Sequence, residues 1–182
     1  TFATTPPDYQ PLWLYGIRPN GDLTWYRKDT NATAWQGPKR VGTGWNSFSN
    51  VIPAGGNTFY ALTPDGKLLW YRHDGFNDGS VSWSGAAEVG HGWSFARIFA
   101  GGNGIVYAIK KDGTLVWYRN TSSDHGRPIW EGPKEIGTDW SQFKDVFPTG
   151  NGAIYAVRKN GQLLLYQHNG YLTGDADWQR ER

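Results

Sequence analysis

The 182 residues carry 18 Lys and Arg against 16 Asp and Glu, a net charge of +2, and the basic residues are dispersed, which excludes the basic stripe of a nucleic-acid binder. No apolar stretch reaches the 18 residues of a membrane-crossing helix, and the lack of Cys removes disulfide frameworks, thiolate metal sites and Cys nucleophiles. The 25 Gly and 16% aromatic content, with 11 Trp, suit short strands and tight turns rather than helices.

Residues 1–11 read as a linker or as the start of a processed form, since the chain holds no Met; secretion is the matching expectation for localisation. A first repeat, 12–54, opens with a strand running to Ile17. Asn20-Gly21 then predicts a type I′ hairpin turn, because both residue types tolerate positive φ. The second strand ends near Arg27, and a polar loop follows over residues 29–34. A third strand runs from Trp35 to Val41-Gly42, and a fourth follows Trp45 as far as Ile52. The glycine-rich link Gly55-Gly56-Asn57 then starts the next copy.

The same order returns in repeats 55–100, 101–148 and 149–182. Gly66, Gly113 and Gly161 follow Gly21 at spacings of 45, 47 and 48 residues. Two Trp series keep that beat, Trp35, Trp83, Trp130 and Trp178, then Trp45, Trp93 and Trp140. Four short strands per 45–48-residue repeat predict an all-β fold, a β-propeller of about four four-stranded blades. Leu68-Leu69-Trp70-Tyr71 reads apolar throughout, as expected of a middle strand covered on both faces. The first copy lacks an upstream Gly-x-Gly-Trp element, and the fourth has Leu165 and Gln167 where the others have Trp and Arg. Three arrangements stay open: a four-bladed ring, part of a larger ring, or a ring completed by another copy in a homo-oligomer.

The phrases Val41-Gly42-Thr43-Gly44-Trp45-Asn46-Ser47-Phe48 and Val89-Gly90-His91-Gly92-Trp93-Ser94-Phe95, followed by Gly-Asn links and strands such as Gly104-Ile105-Val106-Tyr107-Ala108-Ile109, resemble the tachylectin-type β-propeller lectins. The resemblance spans residues 12–178. It implies a glycan-binding partner of the N-acetylglucosamine or N-acetylgalactosamine type, held at repeated shallow sites between blades.

Two residue sets carry that expectation. Gly44-Trp45, Gly92-Trp93 and Trp140 place a ring after a loop where it can be partly exposed, and aromatic faces stack on the C–H patches of sugars. Trp35, Trp83, Trp130 and Trp178 are expected to pack between blades. Asn57, Asn103 and Asn151 carry amides suited to hydroxyl and acetamido groups, or else they serve as turn formers. Arg27, Arg72 and Arg119 are expected to cap strands or pair with loop carboxylates.

Neither a metal site nor a cofactor is expected. Asp22, Asp65 and Asp112 recur with the turns instead of forming the unique carboxylate pair a glycosidase needs. His73, His91, His125 and His168 lack ligand spacing. The expected role is therefore a secreted, multivalent, non-enzymatic lectin. The alternative is a protein-interaction scaffold or an accessory propeller domain of a larger secreted protein. Two glycosylation sequons, Asn31-Ala32-Thr33 and Asn120-Thr121-Ser122, fall in equivalent loops.

Overall fold

The computed structural model describes residues 2–3 and 11–179, so most of the linker expected over 1–11, and the end of the fourth repeat at 180–182, lie outside the described residues. The chain forms two compact units, Thr1–Gly92 and Trp93–Arg182.

In the first unit, β1 (Phe2–Ala3), β2 (Leu12–Ile17), β3 (Leu23–Lys28) and β4 (Gln36–Gly42) form one antiparallel meander. A 3₁₀ turn at Trp45–Ser47 leads to a second, made of β5 (Asn50–Gly55), β6 (Thr58–Leu62), β7 (Leu68–His73) and β8 (Trp83–Gly90). The second unit repeats the plan. Its sheets are β9 (Arg97–Gly102), β10 (Ile105–Ile109), β11 (Leu115–Asn120) and β12 (Trp130–Gly137), then β13 (Phe143–Gly150), β14 (Ala153–Arg158), β15 (Leu163–His168) and β16 (Trp178–Gln179). These four four-stranded sheets are the blades of the expected β-propeller, and the described residues contain no α-helix.

The blades are out of phase with the sequence repeat by one strand. The strand after each second-series Trp, β5 for instance, pairs with the following copy and not with its own. The Gly-rich links that look like boundaries are two-residue hairpins inside a blade. Asn103-Gly104 closes the pair Gly102–Ile105, and Asn151-Gly152 closes Gly150–Ala153, with φ of 53° and 75° in the first and 51° and 78° in the second. These are the turns that require positive φ at both centres.

The turns expected to be type I′ differ. At Arg18–Asp22 the N–H of Gly21 donates to the carbonyl of Arg18, and positive φ is confined to Gly21, at 87°. This is the longer loop, in which a type I turn is followed by one left-handed glycine. The Asn or Asp is needed there for its side chain: Asn20 accepts from the N–H of Asp22, Asp112 from Thr114 and Asn160 from Gln162.

Within each unit the first blade grips the variable loop of the second. The fully buried Trp25 donates its indole N–H to the carbonyl of Phe76 at 2.8 Å, and Trp117 donates to Tyr171 at 2.8 Å. Arg27 and Lys39 reach the carbonyls of Asn77 and Asp78; Arg119 and Lys134 reach those of Leu172 and Thr173. Gly79 and Gly174 press on the two indoles so closely that an added Cβ meets Trp25 at 2.5 Å and Trp117 at 2.4 Å. Arg27 and Arg72 also pair with the loop carboxylates of Asp29 and Asp74, each at 2.7 Å.

Candidate functional site

The strand end Val41-Gly42 runs directly over Trp45. An added Cβ at Gly42 meets the indole nitrogen at 2.5 Å, and at Gly137 the Cβ meets that of Trp140 at 2.7 Å. The chain then reverses at a left-handed residue, Gly44 (φ 75°), Gly92 (φ 70°) or Asp139 (φ 65°). The N–H of Trp45 donates to the carbonyl of Gly21, and that of Trp140 to Gly113, so the hairpin turn of the preceding blade fixes where the ring enters.

Each ring enters the same setting. Trp45 packs on Tyr71 (5.1 Å between centroids) and Trp83 (5.3 Å), and Tyr71 meets Trp83 edge-on at 6.4 Å and 88°. In the second unit Trp93, Tyr118 and Trp130 repeat this at 4.8, 5.3 and 6.4 Å. Trp140, Tyr166 and Trp178 do so at 5.0, 5.6 and 6.4 Å. Such edge-to-face packing fixes ring orientation beyond what area burial alone supplies.

Over the last triad lies a pocket of about 490 Å³, walled by the three rings and Ile136, with Gly137, Thr138 and Gln179 adding polar groups. The Trp178 indole donates to the carbonyl of Ile136 at 2.7 Å, and Trp83 donates to Val41 at 2.8 Å. Burial raises the Tyr71 and Tyr118 phenols above the usual range, so they remain neutral.

The second Trp series lies deeper than expected, while Trp83 and Trp178 of the first pack between blades as expected. Trp45, Trp93 and Trp140 are only 6%, 8% and 5% exposed and form floors, not platforms. Trp83, Trp130 and Trp178 are half-buried, and Trp35, their equivalent in the first copy, is 42% exposed. No atom lies within 4 Å of a Cβ added at Gly44 or Gly92, so the loop face beside each floor is open.

The asparagines do not form one series. Asn103 and Asn151 are exposed and occupy the left-handed turn position, which Gly56 fills in the second copy. Asn57 falls one place later, aligned with Gly104 and Gly152, and its amide is spent on the carbonyl of His73 at 2.8 Å. None of the three lines the pocket of the last triad. Residues not singled out from sequence, Tyr71, Tyr118, Tyr166, Thr138 and Gln179, belong to the triads or the pocket. The tyrosines share the repeat period, and that signal could have found them.

Two buried histidines complete the setting. His73 stacks on Trp83 (4.4 Å, 23°) and His168 on Trp178 (4.5 Å, 21°). The sequons separate: Asn31 is exposed, whereas Asn120 is buried with its amide bonded to the carbonyl of Arg127. Among the described residues no group of His, Asp and Glu is arranged to hold a metal ion, and no helix is long and apolar enough to cross a membrane.

The family model described as Tachylectin matches residues 11–96 and 61–182. Among solved structures, the chain resembles a symmetrical protein whose de novo evolutionary emergence is described as shaped by folding constraints. The TM-score is 0.57 at 19% identity, with 86% of this chain and 66% of that chain covered. It also matches the BP39L lectin from Burkholderia pseudomallei, with a TM-score of 0.44, 18% identity, and 94% and 51% coverage. The chain thus spans about two thirds of the first of these structures and half of the second. No curated protein matches it.

Proposed function

We propose, on the premise that this chain belongs to the tachylectin family, that it is a lectin whose sugar sites are the three Trp–Tyr–Trp triads. The observation that carries this reading is the triad's recurrence with centroid distances that agree within a few tenths of an ångström. An aromatic-walled recess with a few polar groups at its rim matches the amphipathic surface of a sugar. N-acetylhexosamines fit best, because an acetamido group offers a methyl to the rings and an amide to groups such as Thr138 and Gln179. The role is binding, not catalysis. Three weak sites give avidity on a glycan-coated surface, and a secreted protein with an extracellular target is the setting this reading takes.

A glycan array competed with free N-acetylglucosamine and N-acetylgalactosamine tests this, with titration calorimetry counting sites. Binding abolished by either sugar is the expected result; a folded sample that binds no glycan sinks the proposal. A second reading, an interaction scaffold, draws on Val81, Ile129 and Leu172, apolar side chains exposed on the variable loops. Glycan-independent capture of one protein, lost on substituting those residues, is its signature.

A further inference from the structure

We infer that His73 and His168 are positioning residues that hold Trp83 and Trp178 in place only while neutral, so that their two triads loosen in mild acid and the triad with Trp130 does not. The consequence for sugar binding rests on the lectin reading above; the indole motion does not.

Both histidines are 0% exposed, and both use each ring nitrogen. In the first unit Nε2 of His73 faces the carbonyl of Ser80 at 2.9 Å, and Nδ1 faces the Tyr15 hydroxyl at 2.7 Å. In the second, Nε2 of His168 faces the carbonyl of Asp175 at 2.8 Å, and Nδ1 faces the Tyr107 hydroxyl at 2.9 Å. A carbonyl can only accept, so Nε2 carries the proton and Nδ1 accepts from the phenol. A second proton has to go on Nδ1, against the phenol oxygen. The phenol must then turn its own proton away, inside a packed site.

The charged groups nearby weigh on the other side, and burial overrides them. Around His73 the charged groups are Asp74 and Asp78 of the following loop, with Arg72 already paired to Asp74; β2 contributes Tyr15 and β8 contributes Trp83. Around His168 they are Asp175 and Asp177 of the loop, with Tyr107 from β10 and Trp178 from β16. These carboxylates favour an imidazolium, but burial outweighs them and holds both histidines below the ordinary value.

The third copy supplies an internal control. Asn120 stands opposite Trp130 as His73 stands opposite Trp83 and His168 opposite Trp178. Its amide donates to the carbonyl of Arg127 at 2.9 Å, the bond the two histidines make, through a group that does not titrate. Asn is therefore a residue this position already accommodates, and His73→Asn with His168→Asn is the natural test.

The experiment follows the indole N–H resonances of ligand-free wild type and of the double variant from about pH 7.5 to about pH 4.5, with N-acetylhexosamine titrations at each end. The resonances of Trp83 and Trp178 are expected to move with the midpoints of the two imidazoles in the wild type, and to stay fixed in the double variant. Wild type loses two of three sites, each weakening about tenfold per pH unit below its histidine's midpoint, as one-proton linkage requires. The double variant keeps all three. Indoles that ignore the imidazole titration, or identical site loss in both proteins, overturn the proposal. Should neither protein bind sugar at neutral pH, the lectin reading fails and the indole titration alone decides this one. The wild-type resonances decide it too if the double variant does not fold.

Discussion

The indole N–H of Trp178 donates to the carbonyl of Ile136 at 2.7 Å, tying the wall of the last pocket to the end strand of the blade before it. Trp178→Phe keeps a ring there but removes the donor. A loss of about 1 kcal/mol is expected in urea unfolding, together with one fewer sugar site by calorimetry. Unchanged stoichiometry would remove Trp178 from the site.

Trp140 is a different kind of residue, because its ring is almost entirely enclosed. Trp140→Ala should cost about 3–5 kcal/mol, so lost binding in that variant would report lost structure. Gln179→Ala is the cleaner probe, since the side chain lies exposed at the pocket rim. It should leave the melting temperature within a degree or two, a change of under about 0.5 kcal/mol, and weaken binding at that site alone.

Two glycines two residues apart should respond differently to alanine. Gly44→Ala meets empty space and costs only the left-handed backbone, about 1 kcal/mol. Gly42→Ala drives a methyl against the indole nitrogen of Trp45 and should cost more, with a red-shifted Trp emission. In the third copy Asp139 already holds the Gly44 position at φ 65°, so Asp139→Gly should stabilise by up to about 1 kcal/mol in thermal melts.

Stability should fall in acid. Burial holds His73 and His168 below the ordinary histidine value, so the unfolded chain takes up these protons first. Their contribution is complete above about pH 6.5 and is lost as pH falls through the folded-state values. Melting temperatures measured across that range should decline more steeply for wild type than for His73→Asn with His168→Asn; parallel curves would contradict the linkage.

The sequence alone determined the repeat, its strand count and its all-β class. The 45–48-residue beat of Asn-Gly or Asp-Gly turns and Trp residues is a one-dimensional signal that survives without knowledge of partners. It also singled out Trp45, Trp93 and Trp140 as one series, and grouped Asn57, Asn103 and Asn151 as another, of which Asn57 proved to sit one place out of register. What it could not carry was phase and depth. The same dipeptide types serve a two-residue hairpin at Asn103-Gly104 and a longer loop at Asn20-Gly21, because the turn type depends on which strands pair around it. Whether a Trp forms a floor or a wall depends on the chain that crosses above it, as Gly42 crosses Trp45. That is why Trp45, Trp93 and Trp140 are buried where partial exposure was expected. Tyr71 and Trp83, 26 and 38 residues beyond Trp45 in the chain, meet its ring only once β5 has joined the next blade; long-range packing made that triad, and no local pattern encodes it.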